Sequence, residues 1–221
     1  MQLLTNTVGR KVLMGSSGIL MVLFVIVHLL GNSSIFVGPD GINAYAEKLH
    51  SLGPLVWVFR AVMLALLLVH AWFGITLTLE NSAANPAKYA VNKKLKATFS
   101  SETMIWTGLL LLAFLVYHLL QFTVRITPDV VKGVDAQGRY DVFTMVVTSF
   151  RNSSIALIYV AAMVALFLHL NHGIQSFFQT LGVSDDRTLP TYGALGKLLS
   201  VIFLVGYCAI PLTIIAGILT R

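Results

Sequence analysis

Five apolar stretches, each long enough to cross a lipid bilayer, fill most of the chain and leave room for little else. A membrane-spanning helix needs ~20 mostly apolar residues. Residues 11–31, 55–79, 104–126, 153–178 and 195–219 all reach that length. The expectation is an all-α integral membrane protein with five transmembrane helices, forming a single domain over residues 1–221. Composition agrees, with 57% hydrophobic and only 11% charged residues. A soluble domain carries ~25% charged residues. The first stretch resembles a leader peptide in position only. It is longer than a leader's apolar segment and no small-x-small site follows it, so it reads as a retained helix.

The charges exclude one class of partner. The formal net charge is +6, but the Lys and Arg residues lie between the apolar runs rather than in a stripe that could follow phosphates, so no nucleic acid is expected. With the N-terminus inside, the inner side holds Arg10, Lys11, Lys88, Lys93, Lys94, Lys96, Arg187 and Lys197. The outer side then holds Lys48, Arg60, Arg125, Lys132, Arg139, Arg151 and Arg221. The numbers nearly balance, and the tight cluster Lys88–Lys96 in a short loop favours a cytoplasmic N-terminus. Cys208, the single cysteine, makes no internal disulfide and no cysteine-held iron–sulfur site.

Between the spans, residues 42–49 read as a short interfacial helix. Pro128 marks the end of the third span and Pro211 a kink in the fifth. Residues 127–152 read as a connection carrying Asp129, Asp135 and Asp141.

The chemistry is concentrated in the histidines. His28, His70, His118 and His169 fall one to each of the first four spans. Ionisable groups at membrane depth are costly and mark function. At ~1.5 Å per residue, His28 and His118 lie ~24 and ~21 Å from the inner ends of their helices, and His70 and His169 each lie ~14 Å from theirs. The four therefore form two levels of two. In an up-and-down bundle, helices one and three are diagonal, as are two and four. Each level sets two imidazoles across the bundle, which suits axial ligation of one haem b with no position left for oxygen. The first four helices are thus expected to form a dihaem-binding bundle that carries electrons, with His28, His118, His70 and His169 as metal ligands.

Gly31, Gly74 and Gly173 follow His28, His70 and His169 by three or four residues, on the same helix face. There they admit a porphyrin edge or, equally, a neighbouring helix. His172, one turn from His169, is the alternative ligand, or else a hydrogen-bond partner for a propionate or a quinone. Arg60, Arg125 and Arg151 are candidates for propionates on the outer side, and Lys88, Lys93 and Ser176 on the inner side. For any one of these cations, ordinary snorkelling is the competing reading. Ser16 and Ser17 are expected to bond their own helix backbone. His50 reads as an interfacial side chain, or with Glu47 as a proton-transfer pair.

The ordered motifs resemble the membrane cytochrome b subunit of succinate:quinone oxidoreductases, in its single-chain, two-haem form. The resemblance rests on Lys11-Val12-Leu13-Met14-Gly15, His28-Leu29-Leu30-Gly31-Asn32, Asn43-Ala44-Tyr45-Ala46-Glu47, His70-Ala71-Trp72-Phe73-Gly74 and the run from His169 to Phe177. It implies a membrane anchor for a flavoprotein subunit and an iron–sulfur subunit of succinate dehydrogenase or fumarate reductase. It also implies location in the cell's inner (cytoplasmic) membrane, two haem b groups, and a quinone substrate, with menaquinone expected. Succinate chemistry would belong to the partner subunits, so no catalytic residue for it is expected here. By position, the resemblance pairs His28 with His118 and His70 with His169, favours His169 over His172, and offers Glu47 for a quinone near the outer haem. Phe167 stands where some dihaem fumarate reductases carry a buried glutamate, so a transmembrane proton path of that type is not expected.

Two rivals remain. One is another dihaem electron-transfer subunit, although those often place two ligands on one helix. The other is a haem-free transporter with relay histidines, for which broken helices in related halves would be expected and are not seen.

Overall fold

The computed structural model describes residues 2–84 and 97–220. The basic cluster Lys88, Lys93, Lys94 and Lys96 lies outside the described residues, as does Arg221. The fold is all-α. A single turn α1 (Gln2–Thr5) leads into α2 (Thr7–Ser33), which Asn6 starts by accepting from the Gly9 N–H. A 3₁₀ turn, Ser34–Val37, and the helix α3 (Pro39–His50) follow. Then come α4 (Pro54–Ala83), the single turn α5 (Phe99–Glu102) and α6 (Met104–His118). The last helices are α7 (Val142–Arg151), α8 (Ser153–Thr180) and α9 (Leu189–Ile215).

Five of these helices are long and apolar enough to cross a membrane: Thr7–Val37, Pro54–Ala83, Met104–Val124, Ser153–Thr180 and Leu189–Ile215. They match the five expected spans with shifted ends. The ends move where local chemistry overrides hydropathy. α4 begins at Pro54 because Gly53 turns the chain at φ +55° and proline suits a first helical position. α9 starts six residues earlier than its apolar run, with Pro190 in its first turn, continues through Pro211, and stops where Gly217 adopts φ +71°. The third span ends at Val124, short of Pro128: after His118 the helix widens into a π turn, Leu119–Val124, and Arg125 takes a left-handed conformation at φ +61°.

α2 packs on α4 and α8, and α6 packs on the same two, so α2 faces α6 across the bundle and α4 faces α8. α9 lies along α8 and touches α2 and α7. One apolar cluster joins α2, α8 and α9 through Val22, Leu29, Leu170, Ile174 and Phe203. α4 and α6 bury little of their length, as helices with lipid as solvent do.

The connections at one end form a structured cap. Residues 127–152 are more than a linker, since they contain an Asp135–Arg139 turn, a β-bridge between Val134 and Tyr140, and α7. Asp141 starts α7 by accepting from the Thr144 N–H at 3.0 Å. Phe143, Val146, Val147 and Phe150 bury one face of α7 against Ile35, Ile42, Tyr159 and Ile210. Asn43, fully buried on α3, ties the cap together. It accepts from the Phe143 N–H at 3.0 Å and donates to Asp135 at 3.2 Å and Asp141 at 3.3 Å. Arg139 bridges Asp135 at 2.7 Å and Asp40 at 2.6 Å. At the opposite, N-terminal side, Arg10 on α2 meets Glu80 near the end of α4 at 2.6 Å.

Candidate functional site

Each of α2, α4, α6 and α8 turns one histidine into the bundle. The rings meet across its diagonals. His28 and His118 have ring centres 5.9 Å apart with planes at 87°. His70 and His169 have ring centres 6.1 Å apart with planes at 66°. His169 rather than its neighbour His172 meets His70; His172 is half-buried one turn further toward the N-terminal side.

Three of the four rings have Nδ1 anchored. His70 Nδ1 lies 2.9 Å from the Met14 carbonyl oxygen and can only donate to it. His169 Nδ1 lies 3.2 Å from Thr107 Oγ1, whose own proton goes to the Thr103 and Met104 carbonyls at 3.0 Å. His118 Nδ1 lies 3.1 Å from the Tyr159 hydroxyl, whose proton goes to Gln121 Oε1 at 2.6 Å. In each case the network makes Nδ1 the protonated nitrogen and leaves the Nε2 lone pair for a ligand. Fixing the tautomer through the far nitrogen is the usual support for a metal-binding histidine. Among the described residues, no group of three or more His, Cys, Asp and Glu side chains is placed to hold a metal ion by itself.

The three glycines spaced from histidines do not share one role. A Cβ at Gly31 would run into the Tyr45 ring, so that position serves the approach of α3. A Cβ at Gly74 or Gly173 would make ordinary contacts, at 3.8 Å with Met14 and 3.9 Å with Met104. The glycines that crowd the rings are Gly18 and Gly108. A Cβ there would sit 3.0 Å from His70 Cε1 and 3.2 Å from His169 Cε1 respectively. These two lie on helices adjacent to those carrying the histidines, so spacing along a single helix does not reveal them. Thr107, Tyr159 and Gln121 were not singled out by sequence either. The signal for Gln121 was a carboxamide inside an apolar span three residues after a histidine. Ser17 bonds its own backbone, the Leu13 carbonyl at 2.8 Å, as expected.

The cations on the cap side separate. Arg60 and Arg125 both line a cavity of about 540 Å³ with His50, Trp57 and Thr123. Arg60 stacks on Trp57 and Arg125 on Tyr140, each with the guanidinium 4.8 Å from the ring centre. Arg151 instead reaches toward the Thr220 carbonyl at 3.5 Å. Glu47 is exposed on α3 and does not line this cavity, while His50 does. On the N-terminal side, Ser176 lines a smaller cavity of about 320 Å³ with Lys11, Gln179 and Thr180. Compared with family models, with curated proteins and with solved structures, the chain matches none of them.

Proposed function

We propose that this protein is a membrane-anchor dihaem cytochrome b subunit of a succinate:quinone oxidoreductase. The single observation that carries the reading is the pair of cross-bundle histidine couples, with Nδ1 held on three of the four rings. A metal ion ~2 Å from an imidazole nitrogen on either side puts the two ring centres about 6 Å apart. The separations of 5.9 and 6.1 Å fit that geometry. Two protein donors per level suit a group that brings its other ligands with it, as a porphyrin does.

A haem held by His28 and His118, or by His70 and His169, would supply reversible one-electron transfer. The chain's own contribution is positional. Met14, Thr107 and Tyr159 fix the tautomer and aim of three imidazoles, and Gly18 and Gly108 let rings lie close to neighbouring helices. Arg60 and Arg125 set positive charge at the cap-side boundary, where a propionate or a quinone oxygen would meet it. The cavity they line is a better quinone candidate than the surface around Glu47. Menaquinone is the quinone we expect.

In this reading the flavoprotein and iron–sulfur subunits dock on the N-terminal side, which faces the cytoplasm across the inner membrane. The basic loop 88–96 favours that orientation. The test is succinate reduction of the haem spectrum in membranes carrying the whole complex. Wild type should show reduction by succinate. His169→Ala should lose one haem band and the succinate-driven reduction of quinone with it. A wild-type complex without succinate-reducible haem would overturn the proposal.

A further inference from the structure

The two histidine levels differ in what stands behind the rings. His70 donates to a backbone carbonyl and His169 to a threonine hydroxyl, so both of those contacts end in neutral dipoles. Behind His118 there is a longer chain. His118 Nδ1–H donates to the Tyr159 hydroxyl (3.1 Å), the hydroxyl donates to Gln121 Oε1 (2.6 Å), and Gln121 Nε2 donates to Asp129 Oδ2 (2.6 Å). Three hydrogen bonds point the same way and finish on a carboxylate. Gln121 is fully buried and Tyr159 is buried, while Asp129 is half-buried at the cap surface.

The backbone changes its helical form at this point. The helix changes from α to π immediately after His118, and the wider turn places Gln121 toward Tyr159 and Asp129. π turns occur as local insertions in α-helices, often at functional positions. Partial burial works against ionisation of Asp129, but hydrogen bonding led by the Gln121 amide outweighs it and holds the carboxyl below its ordinary range. A fixed negative charge at the end of an aligned chain polarises every bond in it. Outer partners of a ligating histidine raise its basicity and tune the metal.

We propose that Tyr159, Gln121 and Asp129 are positioning residues that draw the Nδ1 proton of His118 outward, enrich Nε2 in electron density, and so lower the reduction potential of the haem held by His28 and His118. This rests on the dihaem reading above. The asymmetry would let one chain hold two haems with identical axial ligands at different potentials.

The experiment is an optical redox titration of the full complex, following each haem band, for wild type, Asp129→Asn and Tyr159→Phe. Asp129→Asn keeps the shape and an acceptor for Gln121 but removes the charge. Tyr159→Phe cuts the chain at the histidine. Both variants should move the cap-side haem toward the reduced form at fixed potential by at least about threefold, or about 30 mV for a one-electron couple. The other haem should stay where it is. Titration curves unchanged from wild type with both haems present would overturn this proposal and leave the dihaem reading standing, and so would equal shifts of both haems. A wild-type complex that binds no haem would overturn the dihaem reading itself, and this proposal with it.

Discussion

At the scale of single residues, the four membrane-embedded histidines form two couples, and each couple should behave as a unit. His28→Ala and His118→Ala are each expected to abolish the same haem band and leave the other. His70→Ala and His169→Ala should do the converse. A reduced-minus-oxidised spectrum of each variant checks this, and loss of different bands by His28→Ala and His118→Ala would break the pairing. Gly18 makes a sharper case because it ligates nothing. A side chain there would collide with His70, whose Cε1 lies 3.0 Å and Nδ1 3.1 Å from the position of a Cβ. Gly18→Leu is therefore expected to remove the band that depends on His70 and His169 while the protein still inserts and keeps the other. Equal loss of both bands would indicate general misfolding instead. The histidines were legible in sequence because an ionisable group stands out in an apolar run. Gly18 and Gly108 were not, since what makes them matter is a ring on another helix. For Gly31 the spacing from His28 left a porphyrin edge and a neighbouring helix equally open, and the neighbour is Tyr45 on α3.

At the scale of elements, the cap on one end of the bundle depends on buried polar contacts between segments far apart in the chain. Asn43 joins α3 to the start of α7 across 100 positions. Removing such a buried partner costs about 1–3 kcal/mol. Asn43→Ala should therefore speed hydrogen exchange of the α7 amides about tenfold or more, with α8 unchanged. Uniform acceleration across both helices would show that the cap does not open independently.

The cap should also respond to acid. For Asp141, partial burial pushes the carboxyl up, but the Thr144 and Asn43 hydrogen bonds more than offset it, so it titrates below its ordinary value. Asp129 is shifted the same way. A depressed folded-state pKa stabilises the fold at pH above the unfolded value of ~3.9, and that stabilisation is lost as pH falls through the folded value. Proteolysis of residues 127–141 should therefore stay slow through neutral and mildly acidic pH and accelerate only below about pH 4. Acceleration already near pH 6 would contradict the assignment to these aspartates.

Of the cap, only the helix around residues 42–49 was readable beforehand. The aspartates and Pro128 suggested a plain connection, and the apolar face of α7 is only ten residues long. A π turn leaves no periodic trace in hydropathy, so the third span was expected to run on to Ile126.

At the scale of the whole molecule, length and apolarity alone were enough for five spans, since a bilayer leaves the backbone few ways to satisfy its hydrogen bonds. Helical rise then arranged the histidines in two levels, and the structure brings together His28 with His118 and His70 with His169. The order of packing around the bundle sets α2 opposite α6 and α4 opposite α8, which is what lets the rings meet across it. What sequence periodicity does not give is the weight of α9. That helix packs along α8 and shares an apolar core with α2 and α8, bracing the side of the bundle away from α4 and α6.

The most direct test of the account is a pyridine haemochrome assay with quantified protein on the purified complex. It predicts two protohaems per copy of this chain. One would mean that one histidine couple has another role. None would contradict the central claim and return the chain to membrane proteins that use histidines without haem.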